Sequence, residues 1–269
     1  MKLKKLVRNY FIGGTVFNTI IRIRSIYNPI VRNHLFHLSK LANFYSHFFR
    51  KGDLVFDVGA NTGQKTEHFL QLGASVLAIE PNPDCVAKIR QKFIGCKRLS
   101  IEEVAVGNEV GYTNMNICLQ NSDFFWEDPS VFSTLLQKEN ITKRFNNERS
   151  VWLQRKVAVT TLDVLISKYG CPKYCKIDVE GFEPQVLEGL NSTIQSISIE
   201  YMFENHSSLV RCIQRLKELG AYQYRFVSGN SFEFSTADWM NEKELLNHLS
   251  ELSLKNSALW GDVYAKILC

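Results

Sequence analysis

From residue 54 onward, short apolar runs alternate with stretches whose apolar residues recur at helical spacing. Leu54–Val58 is an apolar run that stops at a glycine-containing turn, Gly59–Gly63, and opens into a helix over Gln64–Leu72 with Gly73 past its end. Ser75–Glu80 reads as a second strand, and Pro81 and Pro83 open a helix over Asp84–Phe93. Leu99–Val106 is expected to be a third strand, closed by Gly107 and Asn108. Gly111–Leu119 and Val157–Val159 form the arms of a hairpin. Thr161 caps a helix that has Asp163 in its first turn and ends at Gly170 and Pro172. Tyr174–Gly181 is a fourth strand with its exit loop, Glu183–Glu188 a short helix, and Ser196–Glu200 a fifth strand. Ser208–Leu219 is amphipathic with Gly220 beyond it, and Tyr222–Val227, a helix around Trp239–Leu252 and Trp260–Leu268 complete the order. Strands alternating with helices predict an α/β domain with a parallel sheet and helices on both faces.

Two stretches fall outside this alternation. Leu35, Leu38, Leu41, Phe44, Tyr45 and Phe48 predict a helix over His34–Phe49 that packs on the main domain. The chain therefore reads as a basic helical arm over 1–50 and a main domain over 51–269. Asn121–Asn147 is polar, aromatic and irregular, which suits either a cover over an active site or a hairpin with an aromatic cap.

Charge sharpens that division. Residues 1–52 carry ten of the 32 Lys and Arg, and no acid precedes Asp53, so the remainder has 22 basic against 27 acidic residues. A basic arm suits an anionic membrane face, nucleic acid or an acidic substrate, or is simply a solvated helical face. Phe11–Phe17 is too short to span a bilayer, and no cleavage site follows a clear apolar core. Seven scattered cysteines, with Cys171 and Cys175 lacking a second pair, point to a reduced, cytoplasmic compartment rather than a zinc site. No metal set is expected from them or from the three arm histidines, His34, His37 and His47. Peripheral membrane contact through the arm is compatible with a cytoplasmic location.

The chemistry gathers at strand ends. Asp57, Glu80, Asp178 and Glu200 all stand at the carboxyl ends of expected parallel strands, where such sheets bind ligands. A dinucleotide site needs a second glycine for backbone to approach a pyrophosphate, and Asn61 occupies that place. Asp57 would repel a pyrophosphate but attract an aminoacyl ammonium. The turn therefore favours S-adenosylmethionine over NAD, with an NAD-dependent oxidoreductase as the rival enzyme class. Asp57 is the candidate for the ammonium, Gly59, Ala60, Asn61 and Gly63 for the aminoacyl-facing turn, and Glu80, Pro81 and Asn82 for the ribose. Glu103, Val104 and Ala105 are expected beside the adenine.

Val55–Gly63, Glu80-Pro81-Asn82, Thr161-Leu162-Asp163 and Lys176–Glu183 together resemble the FkbM family of S-adenosylmethionine-dependent methyltransferases, as does Gly261–Ala265. The resemblance runs from about Asp53 to the end and leaves the basic arm uncovered. It implies a class I, Rossmann-like methyltransferase fold, whose seven-stranded sheet is parallel except for its last strand. It also implies an acceptor that carries a hydroxyl, on a sugar, glycan or secondary metabolite. Asp178 and Glu180 are the candidates for binding the acceptor or taking its proton. His206 is a further candidate base, with a loop histidine as the alternative. Glu183 is expected to serve its helix N-terminus. Two other function classes remain in view, a non-catalytic cofactor-binding module and a nucleic-acid methyltransferase that uses the arm. The lack of an N-P-P-Y-type motif at Asp178–Gly181 speaks against the second.

Overall fold

A computed structural model describes residues 29–120, 133–135, 151–202, 206–255 and 260–267. Residues 1–28 of the arm and most of 121–147 lie outside them. The chain divides into two units, 1–47 and 48–269. In the first, α1 runs Pro29–Tyr45. It starts five residues before the expected His34, at a proline whose missing N–H has no partner to lose in a first helical turn. No helix among the described residues is long and apolar enough to cross a membrane.

The second unit is built on β1 (Leu54–Val58), α2 (Gln64–Gln71), β2 (Ser75–Ile79), α3 (Pro83–Lys92) and β3 (Leu99–Glu102). After an excursion, α4 (Leu162–Tyr169), β8 (Tyr174–Ile177), α5 (Glu183–Glu188), β9 (Ser196–Met202), α6 (His206–Leu219), β10 (Tyr222–Ser228), α7 (Glu242–Lys255) and β11 (Trp260–Ile267) follow. Seven of these strands form one sheet in the order β10-β11-β9-β8-β1-β2-β3. β11 runs antiparallel to both neighbours and the described pairings of β1, β2, β3, β8 and β9 are parallel. The strand order reverses between β1 and β8, which opens a crevice at their carboxyl ends.

The third expected strand is two pieces. β3 pairs with β2 and stops at Glu102; after Glu103 and Val104 the chain leaves the sheet, and β4 (Ala105–Val106) pairs with β7 instead. β4, β5 (Gly111–Gln120), β6 (Ser133–Thr134) and β7 (Val151–Thr160) make a second sheet, in the order β4-β7-β5-β6. Its core is Ala105, Met115, Ile117, Leu135 and Val157, with Phe182 packed against it. The last helix also differs from expectation. Met240 bridges to Tyr224, so α7 begins only at Glu242, where Asn241 and Glu244 exchange side-chain-to-backbone hydrogen bonds of 2.8 and 3.0 Å.

In-register strands sort the main sheet into two unlike faces. Phe56, Val58, Cys175, Ile177, Ile197, Ile199 and Val263 belong to the main hydrophobic core with Leu209, Ile213 and Leu216 of α6. The alternate positions Asp57, Lys176, Ser198 and Tyr264 are register neighbours across β1, β8, β9 and β11, and so share the opposite face. There Tyr174 stacks between Phe48 and Phe49, at 5.4 and 5.9 Å. Its hydroxyl lies 2.7 Å from the Ser198 hydroxyl. A polar strip thus crosses a sheet whose other face is apolar.

Candidate active site

The crevice between β1 and β8 is an open cleft of about 630 Å³ counting its mouth. Val58, Gly59 and Asn61 line it together with Ile79, Glu80 and Pro81. Val104, Ala105 and Val106 also line it, as do Asp178, Val179 and Glu180. The second sheet adds Met115, Thr134 and Leu135, which no local pattern assigns to a site.

Backbone conformation closes the first turn tightly. Gly59 has φ +81°, and a Cβ on it would stand 1.7 Å from the Asp178 carbonyl oxygen. Asn61 and Glu180 are the non-glycine residues with positive φ among those described, at 48° and 56°, and both line the cleft. Such conformations persist where surrounding structure holds them. Four of the turn amides are engaged within the protein, where a simple strand-turn-helix reading presents them to a ligand. Gly59 and Ala60 donate to the Ile79 carbonyl, Gly63 to the Ala60 carbonyl, and Asn61 to Glu80 Oε2 at 2.8 Å. The turn thereby pins β2 and its terminal acid.

Glu80 is buried, with Oε1 accepting the Asn82 amide at 2.8 Å and Oε2 the Asn61 amide. Burial pushes its carboxyl up to about 7, against those two amide bonds, and Asp57 and Asp178 add to the rise. Each oxygen keeps a second lone pair for a ligand hydroxyl. Asn82 itself is fully buried and caps α3 by accepting from the Asp84 amide.

Several expected site residues lie behind or beside the cleft. Asp57 is buried beneath it, accepting the Thr66 hydroxyl at 2.5 Å. Ala60 packs with Ala78 and Ile89, and Gly63 forms the left-handed N-cap of α2. Glu103 points outward to an ion pair with Arg90 at 3.1 Å, while its neighbours Val104 and Ala105 face the cleft. His206 is the first residue of α6 rather than a loop residue, and its Nδ1 lies 3.4 Å from the Tyr201 hydroxyl. Tyr201 belongs to the apolar face of β9, opposite Glu200, and His206 is not among the cleft-lining residues.

Beneath Asp178 lies a charged group absent from the expected site: Lys176, Lys65 and Asp262, with Asp57. Lys176 is 3% exposed and pairs with Asp178 Oδ2, whose side chain is 30% exposed. Burial pulls the Lys176 ammonium down, but Asp178, Asp262 and Asp57 outweigh it and hold it well above the usual lysine value. Burial raises Asp57 and Asp262, each opposed first by Lys176. Lys65 is lowered by burial and by Lys176, with Asp262, Asp178 and Asp57 opposing. The motif Lys176-Ile177-Asp178 was the available signal, because residues two apart share a strand face.

The loop after β8 is clamped. Glu183 Oε1 accepts the Val179 and Gly181 amides at 3.1 and 3.0 Å, so it fixes the preceding loop as well as sitting in the first turn of α5. From the second sheet, the Thr134 hydroxyl donates to the Glu180 carbonyl at 3.1 Å. Carboxylate oxygens of Asp178, Glu180 and Glu200 lie within 4.8 Å of one another, a separation at which a cation could be held. Asp163 serves structure, accepting the Asn191 amide at 3.0 Å to tie α4 to the segment after α5.

The donor's chemistry fits these residues. Glu80 offers paired acceptors to a ribose, Val104–Val106 and Met115 an apolar wall to an adenine, and the Asp178 side an anionic environment to a sulfonium. The sheet order with its reversed strand, the tight turn after β1 and the acid after β2 are those of the class I, S-adenosylmethionine-dependent methyltransferase fold. The family model described as the methyltransferase FkbM domain matches residues 57–226, and the chain belongs to that family.

Curated relatives overlap it in part. The dimethyladenosine transferase of Schizosaccharomyces pombe is 25% identical over 130 residues, 48% of this chain and 39% of that protein. The chloroplastic ribosomal RNA small subunit methyltransferase of Arabidopsis thaliana is 36% identical over 52 residues, 19% of this chain and 15% of that one. The chain thus spans less than half the length of these relatives. Among solved structures, the FkbM methyltransferase of Methylobacillus flagellatus KT aligns with TM-score 0.47 and 13% identity, covering 81% of this chain and 44% of that chain.

Proposed function

We propose that this methyltransferase transfers its methyl group to a hydroxyl of a polyhydroxylated acceptor, a sugar, a glycan or a hydroxylated secondary metabolite. The observation that carries the reading is the carboxylate group formed by Asp178 and Glu180, just past β8, and Glu200 of β9. Carboxylates accept hydrogen bonds from hydroxyls and repel phosphates, so an acidic acceptor side favours a neutral polyol over a nucleic-acid backbone.

S-adenosylmethionine supplies an electrophilic methyl on a sulfonium. The protein's residues supply alignment and a proton acceptor. Glu80 holds the ribose, the Gly59–Gly63 turn sets the depth of the aminoacyl end, and Val104–Val106 with Met115 enclose the base. Asp178 or Glu180 takes the proton that the acceptor hydroxyl loses as its oxygen bonds to the methyl carbon and the methyl–sulfur bond breaks, leaving the neutral thioether. Such a positioned base is worth about 10²–10⁴-fold, and alignment contributes the larger share.

A second reading, N-methylation of a nucleic-acid base, draws on the partial likeness to the dimethyladenosine transferase and on the ten basic residues in 1–52. One experiment separates the two. The full chain is incubated with methyl-labelled S-adenosylmethionine and either a panel of methyl glycosides or an adenine-containing RNA oligonucleotide. Label in a glycoside, absent from RNA, is expected. Label in RNA, with binding that weakens steeply as salt rises, overturns the hydroxyl reading.

A further inference from the structure

We propose that Lys176 is a positioning residue for methyl transfer: its buried ammonium fixes the Asp178 carboxylate at the methyl-transfer end of the cleft and joins it to Asp57 beneath the donor. This rests on the reading of the cleft as the S-adenosylmethionine site.

The argument begins with register. Asp57 of β1 and Lys176 of β8 are directly paired neighbours in a parallel ladder, so their side chains leave the sheet on one face. Asp178 follows two residues later on that same face and emerges at the strand end, where it lines the cleft. A lysine in the middle of a four-residue strand whose other members are Tyr174, Cys175 and Ile177 has no packing advantage over an aliphatic residue. Burying an ammonium is expensive unless it is paired and hydrogen-bonded. Lys176 meets that requirement with Asp178 as its bonded partner.

The ammonium faces three carboxylates and is hydrogen-bonded to one of them. Asp57 accepts the Thr66 hydroxyl, Asp262 has Tyr264 beside it, and both also feel the Lys176 charge. Asp178 takes the Lys176 hydrogen bond and sits at the solvent edge, 30% exposed, where an unheld carboxylate would sample several rotamers. The Lys176 bond removes that freedom. The Asp178 backbone is fixed as well, its amide donating to the Val58 carbonyl at 3.0 Å. The main chain, whose Asp178 carbonyl packs against Gly59, and the ammonium together hold the carboxylate.

Positioning and simple charge compensation predict opposite signs. If Lys176 merely adds positive charge near the cleft, its removal strengthens binding of a cation there. If Lys176 holds Asp178 in place, its removal weakens such binding, because the aimed carboxylate is lost. Two donor analogues read this without any acceptor. S-adenosylhomocysteine is neutral at sulfur, and sinefungin carries an ammonium where the sulfonium methyl stands.

Calorimetric titration of both analogues into the full chain gives the ratio of their dissociation constants. The wild type is expected to prefer sinefungin by at least tenfold, and Asp178→Asn to lower that preference to about threefold or less. Lys176→Met is expected to match Asp178→Asn, and the double variant to fall no further. Lys176→Arg is expected to restore part of the preference. Should Lys176→Met fail to fold, Lys176→Gln with Asp262→Asn removes one charge of each sign and is read against Asp262→Asn alone. A preference that is unchanged or larger without Lys176, or that falls additively with Asp178→Asn, overturns the proposal. A wild type that binds both analogues without preference overturns it as well. A wild type that binds neither overturns the donor reading itself.

Discussion

Replacing Glu80 by Gln tests whether this buried acid is the pH-sensitive part of donor binding. Its carboxyl stands at about 7 instead of the ordinary 4.5. At about 1.4 kcal/mol per tenfold, that difference corresponds to roughly 3 kcal/mol against the charged form. A ribose held by two accepting oxygens requires that form. Donor affinity should therefore rise with pH and level off above 7, weakening roughly tenfold per pH unit below it. Between pH 8.5 and 5.5 the wild-type dissociation constant for S-adenosylhomocysteine should rise about 30-fold. Glu80→Gln should be nearly flat over that range, and weaker than wild type at pH 8.5. The same shift has a stability signature. Between about 4.5 and 7 the folded chain holds a proton that the unfolded chain has lost, so this group's contribution falls as pH rises through that window. Calorimetric titration and urea unfolding at several pH values give both curves. A flat wild-type binding profile, or one whose slope survives in Glu80→Gln, refutes the reasoning.

Three further substitutions probe the framework. Gly59→Ala puts a Cβ 1.7 Å from the Asp178 carbonyl oxygen at φ +81°; a loss of more than about 2 kcal/mol in urea unfolding and no detectable S-adenosylhomocysteine binding are expected. Glu183→Ala frees the Val179 and Gly181 amides and should cost about 2 kcal/mol in the same assay. Asp178→Asn should lower turnover on an accepted glycoside by about a hundredfold or more, while S-adenosylhomocysteine affinity stays within about tenfold of wild type.

Local pattern made much of the main sheet legible. Gly63, Gly73, Gly170 and Gly189 mark helix ends, and Thr161 accepts the Val164 amide at 3.3 Å as a capping residue should. Strand ends were legible too, and Gly59, Asn61, Glu80, Pro81, Asp178 and Glu180, which stand at or just past them, line the cleft. What stayed hidden depends on pairings between distant segments. Nothing near Lys176 says that Asp57 is its register neighbour, since that follows from β8 lying beside β1. Thr134, Leu135 and Met115 reach the cleft only because the second sheet folds back against it. The break at Glu103 and Val104 is invisible to periodicity, because both halves of 99–106 are good strand sequence and differ only in partner. His206 looked like a loop base since its distance from the strand end is short, yet Tyr201 draws it to the opposite side of the sheet.

The antiparallel strand has a consequence for how the molecule is made. β11 is threaded between β9 and β10, although both are synthesised before it. While a ribosome is still adding the roughly 40 residues that complete β11, a matter of about 2–8 s at usual elongation rates, β9 and β10 each carry an unpaired edge. An early pairing of β9 with β10 would close the slot and exclude the latecomer. It would also leave Asp262 outside the charged group it belongs to. The order of events therefore matters to this chain as well as the final structure, and substitutions in 229–241 that delay β11 should lower yield from cells before they alter the purified protein.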